Sequence, residues 1–233
     1  MIVLGVDTGG AACSAAIWRD GTTAAADIRE MARGHAERLV PMILDLCARA
    51  KIHPRDIDLY GVTVGPGAFT GLRIGLATVA GLALASGRPI VGVDSFDAFA
   101  AMTTAEERAG RTLLVAIDSR RTEMFVRTFR EDLTPLSDPA WASPGELAGC
   151  LPPGPLLVAG DAAPAALTGL AARDAVAARG AGRIDPALVA ALAARDEAKA
   201  GLLPPEPFYL RPPDAIPAAD RAATASGRLP DRT

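Results

Sequence analysis

Gly65-Pro66-Gly67-Ala68-Phe69-Thr70-Gly71-Leu72-Arg73-Ile74-Gly75 leads out of an apolar strand, Leu59 to Val64, and into a helix that is apolar all round. The helix is expected over Thr70 to Ser86, with Thr70 as its N-cap and Gly87-Arg88-Pro89 as its stop. No charged residue falls between Ile74 and Ala85. A helix apolar on every side must be covered on more than one face. The chain's own sheet can cover one face, and the other needs a partner. A binding subunit therefore stands beside a self-sufficient enzyme as a reading of this chain.

Outward from that stretch the elements fall into order. Ile2 to Asp7 reads as a buried strand, Ala12 to Arg19 as its hairpin partner, and Asp20-Gly21 as the turn into a third strand over Thr22 to Arg29. An amphipathic helix follows from His35 to Lys51, with Ala36, Leu39, Val40, Ile43, Leu46, Cys47 and Ala50 at helical spacing and a kink or late start expected at Pro41. Strand Leu59–Val64, the long helix, strand Ile90–Val93 and a helix over Ser95–Met102 complete the first half. Three antiparallel strands, then helix, strand, helix, strand, helix, is the lobe plan of the ribonuclease-H-like folds, including the actin-like ATPases. The fold class expected is α/β, an actin-like (ASKHA, ribonuclease-H-like) fold of two lobes with mixed sheets. Residues 1–103 form the N-terminal lobe, 103–110 a linker, 111–211 a smaller C-terminal lobe, and 212–233 a disordered tail. In the second lobe, Thr112–Ile117 and Thr122–Arg130 read as a hairpin, Leu156–Ala159 as a strand, and Ala163–Ala172 and Pro186–Ala200 as helices.

Composition removes several classes. The 233 residues carry a net charge of −3, which gives no general attraction to nucleic acid or to an anionic membrane. Lysine occurs only at Lys51 and Lys199, neither after a Gly-rich loop, so a Walker-type phosphate lysine is excluded. Cys13, Cys47 and Cys150 are scattered and odd in number, as reduced thiols of a cytoplasmic protein would be. The apolar run Ile74–Ala85 falls short of the roughly 20 residues that span a bilayer, and Met1 to Asp7 reads as a strand rather than a signal peptide.

The candidate chemistry sits in turns. Asp7-Thr8-Gly9-Gly10 closes the first strand, where an Asp followed by small residues can hold a magnesium-bound phosphate. The same residues also suit a tight turn whose Asp caps its own backbone. Gly65 and Gly67 before a helix start can cradle an anion or simply supply positive φ. A nucleotide clamp of this architecture needs more: Asp118-Ser-Arg-Arg-Thr122 lacks glycine, and Gly160-Asp161-Ala-Ala163 lacks its second one. With two histidines, His35 and His53, not on one helix, a paired-imidazole metal site cannot be built. Gly71 and Gly75 form one small-residue row on the long helix, and Ala77, Gly81 and Ala85 another. Such rows let a second helix approach closely.

Together the motifs resemble the TsaB (YeaZ) family. The likeness rests on Gly65 to Gly75 above all, with Ala68 where serine is frequent. Asp7-Thr8, His35-Ala-Glu-Arg-Leu-Val-Pro41, Asp118-Ser-Arg-Arg-Thr-Glu123 and Tyr209-Leu-Arg211 support it. It implies a non-catalytic dimerisation subunit for tRNA threonylcarbamoyladenosine synthesis that binds and activates the catalytic subunit TsaD. The ATPase TsaE joins, tRNA is touched only indirectly, and no metal or cofactor is held, a nucleotide at the heterodimer seam being left open. The resemblance places the partner interface at His35, Leu39, Ile43, Leu46, Gly71, Leu72, Ile74, Gly75 and Val79, with Arg73 as polar anchor. Asp7, Thr8, Gly65, Gly67, Asp118 and Gly160 would be vestiges of nucleotide loops. Without its partner the chain should form a homodimer through the same surface. Gly75→Leu should abolish pairing and leave the chain folded. The competing readings are a stand-alone ATPase or phosphotransferase using Asp7 and Gly67, and a metallopeptidase, which the histidine count opposes.

Overall fold

A computed structural model describes residues 1–31, 33–196, 200–201 and 205–210; the expected tail over 212–233 lies outside them. Its elements run β1 (Ile2–Asp7), β2 (Ala12–Arg19), β3 (Thr22–Glu30), α1 (His35–Arg49), β4 (Leu59–Gly65), α2 (Phe69–Ser86), β5 (Ile90–Asp94) and α3 (Ser95–Ala101). There follow α4 (Ala105–Arg108), β6 (Thr112–Asp118), β7 (Met124–Phe129), β8 (Ala140–Ala142), α5 (Leu147–Cys150), β9 (Leu156–Ala159), α6 (Ala163–Gly169), β10 (Ala175–Ala177) and α7 (Pro186–Arg195).

Two mixed five-stranded sheets result, in the orders β3-β2-β1-β4-β5 and β10-β9-β6-β7-β8. The period-two alternation of side chains along each strand sorts the apolar residues into separate layers. Leu4 and Val6 of β1, Cys13, Ala15 and Ile17 of β2, and Tyr60 and Val62 of β4 pack under α1 and α2. Val3, Leu59, Val91 and Val93, pointing the other way, share a core with α3, α7 and Leu113, Val115 and Ile117 of the second sheet. Leu114, Ala116, Leu156 and Val158 bury the far side of that sheet under α5 and α6. The layers are therefore helix, sheet, helix, sheet, helix.

The middle layer decides where the lobes meet. α7 comes late in sequence, within the segment 111–211 read as the second lobe, yet it packs on β1 and β4 of the first sheet. Gly5 and Gly61 face each other across β1 and β4 and make its seat. A Cβ on Gly5 would overlap the Pro186 carbonyl oxygen and come within 2.6 Å of the Ala190 nitrogen; one on Gly61 would meet Ala193 Cβ at 2.6 Å. Arg127 on β7 bridges the same seam, reaching Asp94 and Asp97 at 3.8 Å each.

Local details differ from the sequence reading for identifiable reasons. The cap of α2 is Ala68 rather than Thr70, because the Ala68 amide bonds the Gly9 carbonyl at 2.7 Å and starts the helix earlier. Pro41 lies inside an uninterrupted α1, on its exposed side, where the carbonyl it leaves unpaired can be hydrated. The stretch read as a linker holds α4, closed by a Thr104/Glu107 capping box. The short β8, β10 and α5 carry too few residues for a legible period.

Candidate functional site

Three surfaces meet around the Asp7–Gly10 and Gly65–Ala68 turns. The first is a cleft between the lobes, about 160 Å³, bordered by Asp7, Ser95, Phe99, Ile117, Asp161 and Ile184, among others. The carboxyl ends of β1, β6 and β9 converge here, so Asp7, Asp118 and Asp161 come together as a two-lobed nucleotide fold requires. One oxygen of each, however, is engaged locally. Asp7 Oδ1 accepts from Thr63 Oγ1 at 2.7 Å and from the Gly9 amide at 3.1 Å. Asp161 Oδ1 accepts from the Asp118 amide at 2.8 Å, and Asp118 Oδ1 from the Arg120 amide at 2.7 Å. Burial pushes the Asp7 and Asp161 carboxyls above the usual carboxylate range.

The two Gly-bearing turns are locked to each other rather than open. Thr8 is buried and donates its hydroxyl to the Gly71 carbonyl at 2.8 Å. Gly67 sits so close that a Cβ would lie 2.7 Å from the Gly9 carbonyl oxygen, and Gly65 has φ +113°. Gly160, at φ +108°, follows β9 where any side chain would strike the Ala116 backbone. Each of these glycines thus has a packing reason for being glycine.

The second surface is a groove of about 770 Å³ between the starts of α1 and α2, lined by Thr8, His35, Thr70, Gly71, Arg33 and Arg120, among others. Neither helix has a side-chain cap at its N-terminus. His35 is buried at the first position of α1, and its Nε2 has no hydrogen-bond partner. Free amides and helix dipoles there favour an anion. Among the described residues, no group of three or more His, Cys, Asp or Glu is arranged to hold a metal ion.

The third surface is the outer side of α1 and α2. Here the residues expected at an interface need correcting. His35, Leu39, Ile43, Leu46, Gly71, Leu72, Gly75 and Val79 are all buried in the chain's own core. Gly71 and Gly75 face the β1–β2 turn, where added Cβ atoms would overlap the Thr8 carbonyl and Thr8 Oγ1 respectively. Only Arg73 and Ile74 of that set reach the surface. Gly75→Leu would therefore break the fold, not just the pairing.

What faces outward lies in the opposite phase. Val40 is 40% exposed, Leu44 52%, Phe69 40% and Leu84 83%. Ala77, Gly81 and Ala85 complete the strip on α2, and a Cβ on Gly81 would meet nothing within 4 Å. Val40, which the spacing put on the apolar stripe of α1, lies at its exposed edge, whereas Leu44 stands out of phase with the buried residues. α2 has the length and hydropathy of a membrane-crossing helix, but a third of it is buried against the lobe and Arg73 interrupts its second turn.

Two lobes, each a mixed five-stranded sheet with helices on both faces, define an α/β protein of the actin-like ATPase fold. A family model described as TsaD, tRNA N6-adenosine threonylcarbamoyltransferase, matches residues 29–173. The chain is 36% identical over 132 residues to the tRNA threonylcarbamoyladenosine biosynthesis protein TsaB of Escherichia coli, covering 57% of this chain and 56% of that protein. It is also 36% identical over 233 residues to the uncharacterised protein ML0378 of Mycobacterium leprae, covering 98% of this chain and 60% of the other. The chain thus spans somewhat more than half the length of these two relatives. The solved structure of YeaZ from Pseudomonas aeruginosa superposes with a TM-score of 0.71 at 26% identity, covering 90% of this chain and 99% of that one. The chain belongs to the family that the TsaD model describes, and within it to the TsaB/YeaZ group.

Proposed function

We propose that this chain is a non-catalytic dimerisation subunit that supports threonylcarbamoyl transfer to N6 of the adenosine beside the anticodon of tRNA. It binds a TsaD-type catalytic subunit through the outer faces of α1 and α2 and stabilises that subunit's active conformer by differential affinity. The observation that carries the reading is that apolar residues are exposed on both helices, Val40 and Leu44 on α1 and Ala77, Gly81, Leu84 and Ala85 on α2. Strips of this kind on a globular surface mark contacts, and two helices can supply the roughly 800 Å² per partner of a standard interface. The small residues let a partner helix come close, and the bulky ones fill its grooves. Alone, the chain pairs with itself through the same strip. The groove beside it, with two uncapped helix starts and His35, suits the phosphate of a nucleotide lodged at the heterodimer seam. TsaE joins this assembly, and tRNA reaches the chain only through the catalytic partner.

Gly81→Leu tests the strip. Leucine is the better helix former, so thermal stability should hold or rise slightly, while co-elution with the catalytic subunit on size exclusion is lost. Undiminished co-elution of this variant would sink the proposed surface. A second reading, a stand-alone ATPase or phosphotransferase, draws on Asp7 and Asp161 at the cleft, with the Asp118 amide bonded to Asp161. Magnesium-ATP turnover by the purified chain at about 1 per second or faster would favour it over the subunit reading.

A further inference from the structure

We propose that the segment 205–210 is a working part of the pairing surface: it holds Arg73 as a pre-organised anchor for a carboxylate on the protein partner. The inference rests on the subunit reading above and adds to it a residue pair and the chemistry that the partner must present.

The segment runs along the end of the first sheet. The Phe208 amide bonds the Val64 carbonyl at 2.8 Å. Gly65 and Gly92 leave room for it, since a Cβ on the first would lie 2.7 Å from the Phe208 carbonyl oxygen and on the second 2.8 Å from Pro205 Cβ. This places the Tyr209 ring 5.1 Å from that of Phe69, centroid to centroid. The Arg73 guanidinium lies 3.9 Å from the Phe69 ring centroid and 5.8 Å from that of Tyr209, and its Nε donates to Tyr209 Oη at 2.9 Å.

An exposed arginine is normally mobile, and ordering it on binding costs entropy. Here two rings and one hydrogen bond restrain it beforehand, with no acidic side chain of the described residues paired to it. The bond uses Nε, so the two terminal nitrogens stay free for a planar, bidentate acceptor. Arg73 projects from the exposed side of α2 one turn before Ala77, where the apolar strip begins. It does not line the anion-favouring groove, so the acceptor assigned to it is a side-chain carboxylate of the docked protein rather than a phosphate. An arginine desolvated at the edge of an apolar patch is a frequent hot spot.

The test measures affinity of the full chain for the TsaD-type subunit by titration calorimetry, with a thermal melt of every variant. Arg73→Ala should weaken binding by about thirtyfold or more. Tyr209→Ala should weaken it about tenfold, and Tyr209→Phe, which keeps the ring and loses the hydrogen bond, by a few-fold. The double variant should be no weaker than Arg73→Ala alone, because Tyr209 acts through Arg73. Full additivity, or wild-type affinity of the folded Tyr209→Phe and Tyr209→Ala variants, overturns the positioning role. Alanine replacement of the partner's acidic residues should reveal one that couples to Arg73, and a scan without any such coupling overturns the carboxylate. Leu84→Asp, measured in parallel, separates the two layers of argument. If it abolishes pairing while Tyr209 and Arg73 variants bind normally, only the anchor fails; if it pairs normally, the parent surface fails.

Discussion

α2 and α7 are both apolar helices, yet the fold treats them differently. α7 lies between the two sheets, with Pro186, Val189, Ala190, Leu192 and Ala193 buried and the Gly5/Gly61 seat beneath it. α2 lies on the outside of the first sheet, seated on Thr8 through Gly71 and Gly75, and leaves Leu84 in solvent. The same glycine device, a missing Cβ that lets backbones approach, secures both helices from one side. What differs is the second side, which another sheet covers for α7 and nothing among the described residues covers for α2. Apolar composition says that a helix needs covering; it does not say who supplies the cover.

That contrast can be broken at its seat. Gly5→Val should remove about 3 kcal/mol or more of stability, since the new methyls strike α7 backbone that cannot swing aside, read as a lower urea midpoint at unchanged m. A midpoint equal to wild type would mean that α7 is not held where described. Leucine truncation sharpens the contrast with one chemistry in two places. Leu192→Ala, at a position 7% exposed, should cost about 2–3 kcal/mol, whereas Leu84→Ala should stay within about 0.5 kcal/mol of wild type. Equal losses at both sites would mean that α2 is covered after all.

A smaller effect than those at Gly5 and Leu192 concerns the seam that encloses α7. Burial and the neighbouring Asp97 raise the Asp94 carboxyl from 3.8 to about 6, against the opposing pull of the Phe96 amide and Arg127. A carboxyl with a raised folded value binds more protons folded than unfolded between those limits. Its contribution therefore favours folding below pH 3.8 and is lost as pH rises through about 6. Asp94→Asn keeps a capping side chain for α3 and removes the titration. It should gain about 1 kcal/mol over wild type near pH 8, the gain shrinking towards pH 4, in melts followed across that range. Parallel melting profiles for the two proteins would show that Asp94 does not govern the seam.

Much of this was legible beforehand because it is written in short-range pattern. Alternation and turn residues marked β1 to β7, and helical spacing marked α1 and α2, within a residue or two of their observed ends. The inward stripe Leu39, Ile43, Leu46 was legible too, but as an interface it was misassigned: the residues most strongly periodic are the ones the chain's own sheet consumes. The row Gly71, Gly75 was misassigned for the same reason, being small to admit Thr8 rather than a second molecule. A glycine inside a strand suits a close backbone approach, yet nothing local to Gly5 or Gly61 names α7 as what approaches, far along the chain from both. Tyr209 meeting Arg73 across 136 positions is equally invisible along the chain.

The sequence by itself determined strands β1 to β7 and β9, the long apolar helix, the strand-to-helix turn at Gly65 and the family to which those motifs point, since each depends on neighbours a few residues apart. Only the tertiary structure decided which side of each helix is spent on the chain's own core, that α7 fills the space between the lobes, and that 205–210 returns to α2. Those facts depend on which distant surfaces come together to exclude water, and burial of that kind is a property of the assembled layers, not of any one segment.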